Sequence, residues 1–163
     1  VKRVHLVLAL AVAIVTQAQA PVPTLREETA ARGYWVDPAT NLMWAGTDNG
    51  DNIKWGKAIQ YCRDSRLAGY SNWTLPGIVE LESLDRGKDS IAPPEKPGVT
   101  ILKGGIKGGI RLTGARQWSM DRVLDLRGKN SGYGLEYDYF LGGRWEDPLG
   151  YSGQLRALCV RQP

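Results

Sequence analysis

Histidine is almost missing from this chain: the one residue of its type, His5, sits close to the N-terminus. Past that point no imidazole is available for Ser-His-Asp or Cys-His catalysis, for a histidine general base or for a histidine metal site. Cysteine is scarce as well, with two residues, too few for a cysteine-rich zinc site. Joined in a bridge, they would supply no thiolate nucleophile. The Gly-x4-Gly-Lys-Ser/Thr spacing of a nucleotide P-loop is missing. Excess charge is slight: of the formal +4, two charges are Lys2 and Arg3, so the balance does not argue for nucleic acid. Long apolar runs are confined to residues 6–15, short of the roughly 20 needed to cross a bilayer.

That one run has a context. Lys2 and Arg3 precede it, and the small-residue patterns Thr16-Gln17-Ala18 and Ala18-Gln19-Ala20 follow. This is the layout of a signal peptide, expected over residues 1–18, with cleavage after Ala18 because Pro21 disfavours the second site. An uncleaved N-terminal anchor is the alternative. With the leader removed, no stable membrane span is expected. Export leads to the periplasm or the outside of the cell, where disulfides persist, and an even cysteine count fits one bridge. Two buried free thiols remain the other reading.

Residues 19–33 read as a linker, with two prolines and mixed charge but no apolar stripe. A single domain is expected over residues 34–163. Tyr34-Trp35-Val36-Asp37 and Leu42-Met43-Trp44 read as short strands around a Pro38-Ala39-Thr40-Asn41 turn. Asp51 or Asn52 is expected to cap a helix in which Trp55, Ala58, Ile59 and Cys62 share one face. Pro76 suits the start of a second helix that buries Ile78, Leu81 and Leu84. A long Gly- and Pro-rich loop over residues 85–115 follows, of the kind that is usually functional or disordered. Residues 117–120, 123–127, 135–141 and 155–161 then read as antiparallel strands. The order predicts an α+β fold.

Several pieces of the chain occur in a familiar order: Trp55-x-x-Ala58-x-x-Tyr61-Cys62, Gly69-Tyr70-Ser71-Asn72-Trp73-Thr74-Leu75-Pro76, Gln117-Trp118-Ser119 and Cys159-Val160-Arg161. Over about residues 33–161 this set resembles the Lcl C-terminal domain, which closes a collagen-like adhesin. The sequence departs from that pattern at Thr74, where the family usually has a basic residue. The resemblance implies a C-type-lectin-like fold, with two helices packed on antiparallel sheets, a long irregular loop and a helix-to-last-strand disulfide between Cys62 and Cys159. It also implies ligand binding by the long loop and neighbouring strands. The adhesin's domain is associated with sulfated glycosaminoglycans and with trimers. Trimerisation there goes with a collagen-like stalk, and no Gly-X-Y repeat occurs here, so the trimer is not carried over.

Candidate ligand-binding residues are Lys103, Lys107, Arg111, Arg116 and Arg122, within a stretch whose only acids are Asp121 and Asp125. Arginine forks and lysine point charges hold sulfates and carboxylates. A solvated flexible loop is the plainer reading. Tyr137 and Tyr139 join the candidates, since phenol faces stack on sugar rings. With Tyr133, Trp145 and Tyr151 they are the aromatics expected to be exposed. Trp145-Glu146-Asp147 is weighed as a calcium site against a strand end before Pro148, and Asp48-Asn49-Gly50-Asp51-Asn52 against a turn; neither completes a known calcium loop. No cofactor is therefore expected, calcium being the one candidate. Glu136 and Asp138, two apart on a strand, are the one carboxylate pair that shares a face. These readings together favour a non-catalytic module binding anionic carbohydrate. The alternatives are a protein-interaction module of an envelope assembly and a carboxylate-based hydrolase.

Overall fold

A computed structural model describes residues 22–86 and 105–163. The expected leader and Lys103 lie outside the described residues, as does most of the long loop. In chain order the elements are α1 (Leu25–Arg32), β1 (Tyr34–Val36), β2 (Met43–Ala45), α2 (Trp55–Asp64), α3 (Ile78–Ser83), β3 (Arg116–Leu124), β4 (Asn130–Asp138), β5 (Gly143–Pro148), β6 (Leu155–Arg156) and β7 (Val160–Arg161). The class is α+β, with one sheet ordered β1-β2-β7 and another ordered β5-β4-β3-β6.

The first hairpin forms where expected. Asp37 holds its turn by accepting from the Ala39 amide and the Thr40 hydroxyl, both at 3.0 Å. In α2 the buried side is Trp55, Ala58 and Cys62, the periodicity visible in the sequence. Its N-cap is Lys54, with no side-chain cap, so the expected role of Asp51 or Asn52 is corrected. Asn49 and Asn52 instead accept from the amides of Ala157 and Gln154, and so tie this turn to the C-terminal segment. At α3, Ile78 and Leu81 are buried as expected, with Leu84 just beyond the helix. Asp121 of β3 accepts from the Ile78 amide at 2.6 Å, so the sheet itself caps the helix.

Four other expectations are revised. The presumed linker contains α1, closed by a capping box between Thr24 and Glu27 and docked through the Thr29 hydroxyl, which donates to the Gly108 carbonyl at 2.6 Å. The two strands read in residues 117–127 are one strand, β3, interrupted by irregularities in its pairing with β4. Gly143–Pro148, not read as a strand, forms the edge strand β5. The closing strand is split: β6 runs parallel to β3, and β7 antiparallel to β2.

Cys62 and Cys159 are bridged, with Cα atoms 5.4 Å apart, so α2 is joined to the residue that opens into β7. Both are buried in a core that includes Trp44, Trp73 and Trp118. The bond fits an oxidising compartment. Among the described residues no helix is long and apolar enough to cross a membrane.

Candidate functional site

Residues paired across a sheet point to the same side, and sides alternate along each strand. The register pairs Arg116 with Asp138, Glu136 with Trp118 and Trp145, and Gly134 with Arg122 and Asp147. One face of the β3–β4–β5 sheet therefore carries both the charged residues and Trp145. The start of α2 covers part of it. Trp55 donates from its indole nitrogen to the Ser119 carbonyl at 2.9 Å, and Trp118 donates to the Ile53 carbonyl at 2.8 Å. Gly134 is closely packed here, because a Cβ would stand 3.0 Å from both Leu149 Cδ2 and Trp55 Cδ1.

At the centre of this face is a small charge cluster. Arg116 Nε donates to Glu136 Oε1 at 2.8 Å, and its Nη2 bonds both Glu136 and Asp147. Glu136 is fully buried, and among the described residues its Oε2 has no hydrogen-bond partner. Burial pushes its carboxyl up to about 7 against the pull of Arg116, with Asp147 and Asp138 adding to the rise. Among the described residues one cation, Arg116, faces the carboxylates of Glu136, Asp147 and Asp138, so the cluster holds its arginine in place and does not present it to an anion. Trp145, across from Glu136, is 51% exposed.

The structure distributes the expected basic residues. Lys107 Nζ donates to the Ser83 carbonyl at 2.6 Å, which ties it to the end of α3. Arg111 is exposed beside Thr47, with which it forms an isolated bridge. Arg116 belongs to the cluster just described. Arg122 is exposed, its guanidinium 4.3 Å above the Trp55 ring. Its β4 partner Gly134 lies four positions from Asp138, the partner of Arg116, so the two arginines stand roughly 13 Å apart along the sheet at the usual strand rise.

Tyr137 and Tyr139 are corrected from exposed to buried. Tyr137 lies on the other face of β4 and Tyr139 just beyond its end, both on the side of α3, with their rings 4.9 Å apart. Tyr137 donates to Asp85 at 2.5 Å and Tyr139 to the Leu81 carbonyl at 2.7 Å, which satisfies both hydroxyls internally. Burial raises both phenols above their ordinary range. Neither offers a ring face to a ligand. Tyr133, Trp145 and Tyr151 are exposed as expected.

The carboxylates also have internal work. Asp138 accepts from the amides of Phe140 and Leu141 at 2.8 and 3.0 Å and so shapes the turn into β5. Glu136 and Asp138 are both buried and do not form a solvent-facing strand edge. Asp48 is buried and accepts from the Gly50 amide, from the Thr113 amide and hydroxyl, and from Gln117 Nε2, which makes its segment a structural turn. Asp147 of the proposed calcium motif is held by Arg116. Among the described residues no three acidic, histidine or cysteine side chains gather as a metal site.

Sequence reasoning missed Asp147 as the second partner of Arg116, because β5 was not recognised and its register was unknown. It also missed the exposed Leu124 and Leu126 at the β3–β4 turn. The Asp125-Leu126-Arg127-Gly128-Lys129 run between two strands was the available signal. No curated protein matches the chain. The family model of the Lcl C-terminal domain matches residues 33–133, more than half of the chain and everything from β1 into β4, and the chain belongs to that family.

Proposed function

We propose that this domain is an exported, non-catalytic module that binds anionic carbohydrate, and that its architecture is C-type-lectin-like. One observation carries the reading: an indole, Trp145, stands half-exposed on the edge strand β5, on the same sheet face as the exposed Arg122. By strand spacing and rise their Cα atoms lie roughly 12 Å apart, a span suited to a disaccharide. A sugar ring stacks on Trp145. The negative balance around Glu136 turns the anionic substituent away from the cluster and towards Arg122, which binds it as a charge-assisted fork. Export is supported by the bridge and by the leader read in residues 1–18. The periplasm and the cell exterior are both compatible with it.

The test is a glycan array on the domain at low and high salt, with calcium and with chelator. The expected result is salt-sensitive binding to sulfated or uronic-acid glycans that ignores chelator. W145A lowers affinity by about tenfold, the loss of one stacking platform. R122E removes most of the salt dependence. Binding to no glycan in any condition overturns the reading. The second reading is then preferred, a protein partner in an envelope assembly, which the exposed Phe140 and Leu141 favour.

A further inference from the structure

The end of the β3–β4 hairpin extends beyond the contacts that Asp121 and Arg122 make with α3 and Trp55. From Met120 outward along β3, and through Tyr133 on β4, no residue is buried. Yet this arm carries apolar side chains at its end: Leu124 is 61% exposed and Leu126 fully exposed. A five-residue turn does not need leucine, and hydration of that side chain is unfavourable. The turn is also well built. Asp125 Oδ1 accepts from the amides of Arg127 and Lys129 at 2.8 and 2.9 Å. The Asp125 amide donates to the Lys129 carbonyl at 2.7 Å, and Gly128 takes the left-handed conformation at φ 72°. Leu126 is therefore presented on an ordered tip. Arg127 and Lys129 are exposed beside it in the turn, and the one acidic residue of the turn, Asp125, is engaged with backbone amides.

We propose that this tip docks on an anionic lipid surface, with Leu126 and Leu124 entering the headgroup–acyl boundary and Arg127 and Lys129 meeting lipid phosphates. The shape of the patch selects this occupant. Two leucines at a point cannot cover the roughly 800 Å² per partner of a stable protein interface. A second copy would bring its own cations against these. A soluble glycan offers no apolar phase for Leu126. A lipid surface satisfies both halves: apolar burial of a few side chains, and attraction of the cations by anionic headgroups. The inference is independent of the glycan site, since it uses neither Trp145 nor any sugar contact.

The experiment is flotation of the chain with vesicles of phosphatidylcholine alone and of phosphatidylcholine with phosphatidylglycerol, at low and high salt. Neither vesicle carries glycan, so this test and the glycan array can fail separately. The expected result is binding to the anionic vesicles only, weakened by salt. L126D lowers the partition coefficient by about tenfold or more, from lost apolar burial. R127E/K129E does the same through charge, again by at least about tenfold. L126W partitions more strongly, as tryptophan favours the interface. Melting temperatures stay unchanged in the Leu126 variants, because that side chain buries nothing in the fold. Failure to bind anionic vesicles overturns the proposal, and so does binding that L126D leaves intact.

Discussion

The carboxyl of Glu136 carries an electrostatic cost that pH can reveal. Desolvation raises it from 4.5 to about 7, with Arg116 pulling the other way. The folded state therefore holds a proton that the unfolded chain has released over that interval. Stability falls as pH rises from about 4.5 to 7 and is level on either side, a contribution of roughly 3 kcal/mol from this one group. E136Q cannot titrate, so urea midpoints of the variant lose this falling component between pH 5 and pH 8. Equal pH slopes in the two proteins would refute the assignment. At this scale the sequence was partly legible. The shared face of Glu136 and Asp138 followed from their two-residue spacing on a strand. Their burial did not, because it depends on Arg116 and on Asp147, which arrives from another strand. Tyr137 and Tyr139 misled for a related reason. A tyrosine is read as exposed or buried by where its hydroxyl finds a partner, and here Asp85 and the Leu81 carbonyl, both distant in sequence, provide one.

Elements with a strong internal pattern were readable and edge elements were not. Trp55, Ala58 and Cys62 mark α2, and Ile78 with Leu81 marks α3, because each buries one stripe against the sheets. Helix α1 buries only Thr29, so it has no stripe to detect. Its signature was the Thr24-x-x-Glu27 capping box. Strand β5 is mostly exposed and polar, as edge strands commonly are, and lacks the alternation that identifies a half-buried strand. Residues 155–161 read as one strand, yet Leu155–Arg156 and Val160–Arg161 join different sheets. The docking of α1 has a testable hinge at Gly108. This residue adopts φ 75°, and a Cβ there would fall within the Trp35 indole, while its carbonyl receives the Thr29 hydroxyl. G108A adds a left-handed strain and an overpacked contact, so a loss of roughly 2–4 kcal/mol is expected in chemical denaturation. A value within experimental error of zero would mean that α1 and the Lys107–Gly109 turn do not support the fold.

At the scale of the molecule, the last few residues lock the domain. Val160 pairs with Trp44 of β2 and exchanges backbone hydrogen bonds with Thr74, while Ala45 donates to the Cys159 carbonyl. The Cys62–Cys159 bridge closes 97 positions of sequence around these contacts. In the chain-entropy view, a loop of that order restricts the unfolded chain by about 4.7 kcal/mol as an upper figure. The core bounds the effect from the other side. Trp44, Trp73, Trp118, Leu81 and Leu158 are essentially inaccessible and lie in one cluster in which the two cysteines are two members among many. The bridge therefore adds to a fold that the core already specifies. Both cysteines are shielded from solvent, so reductant meets the bond mainly in the unfolded chain. The informative experiment melts and refolds the protein with and without reductant, beside a C62A/C159A variant. The expected outcome is a cooperative transition in every case, with a native near-ultraviolet spectrum retained at 25 °C and a melting temperature about 10 °C lower without the bridge. An unchanged melting temperature would show that the unfolded chain gains little freedom when the bond is broken. Loss of the cooperative transition would show that the core cannot close without it.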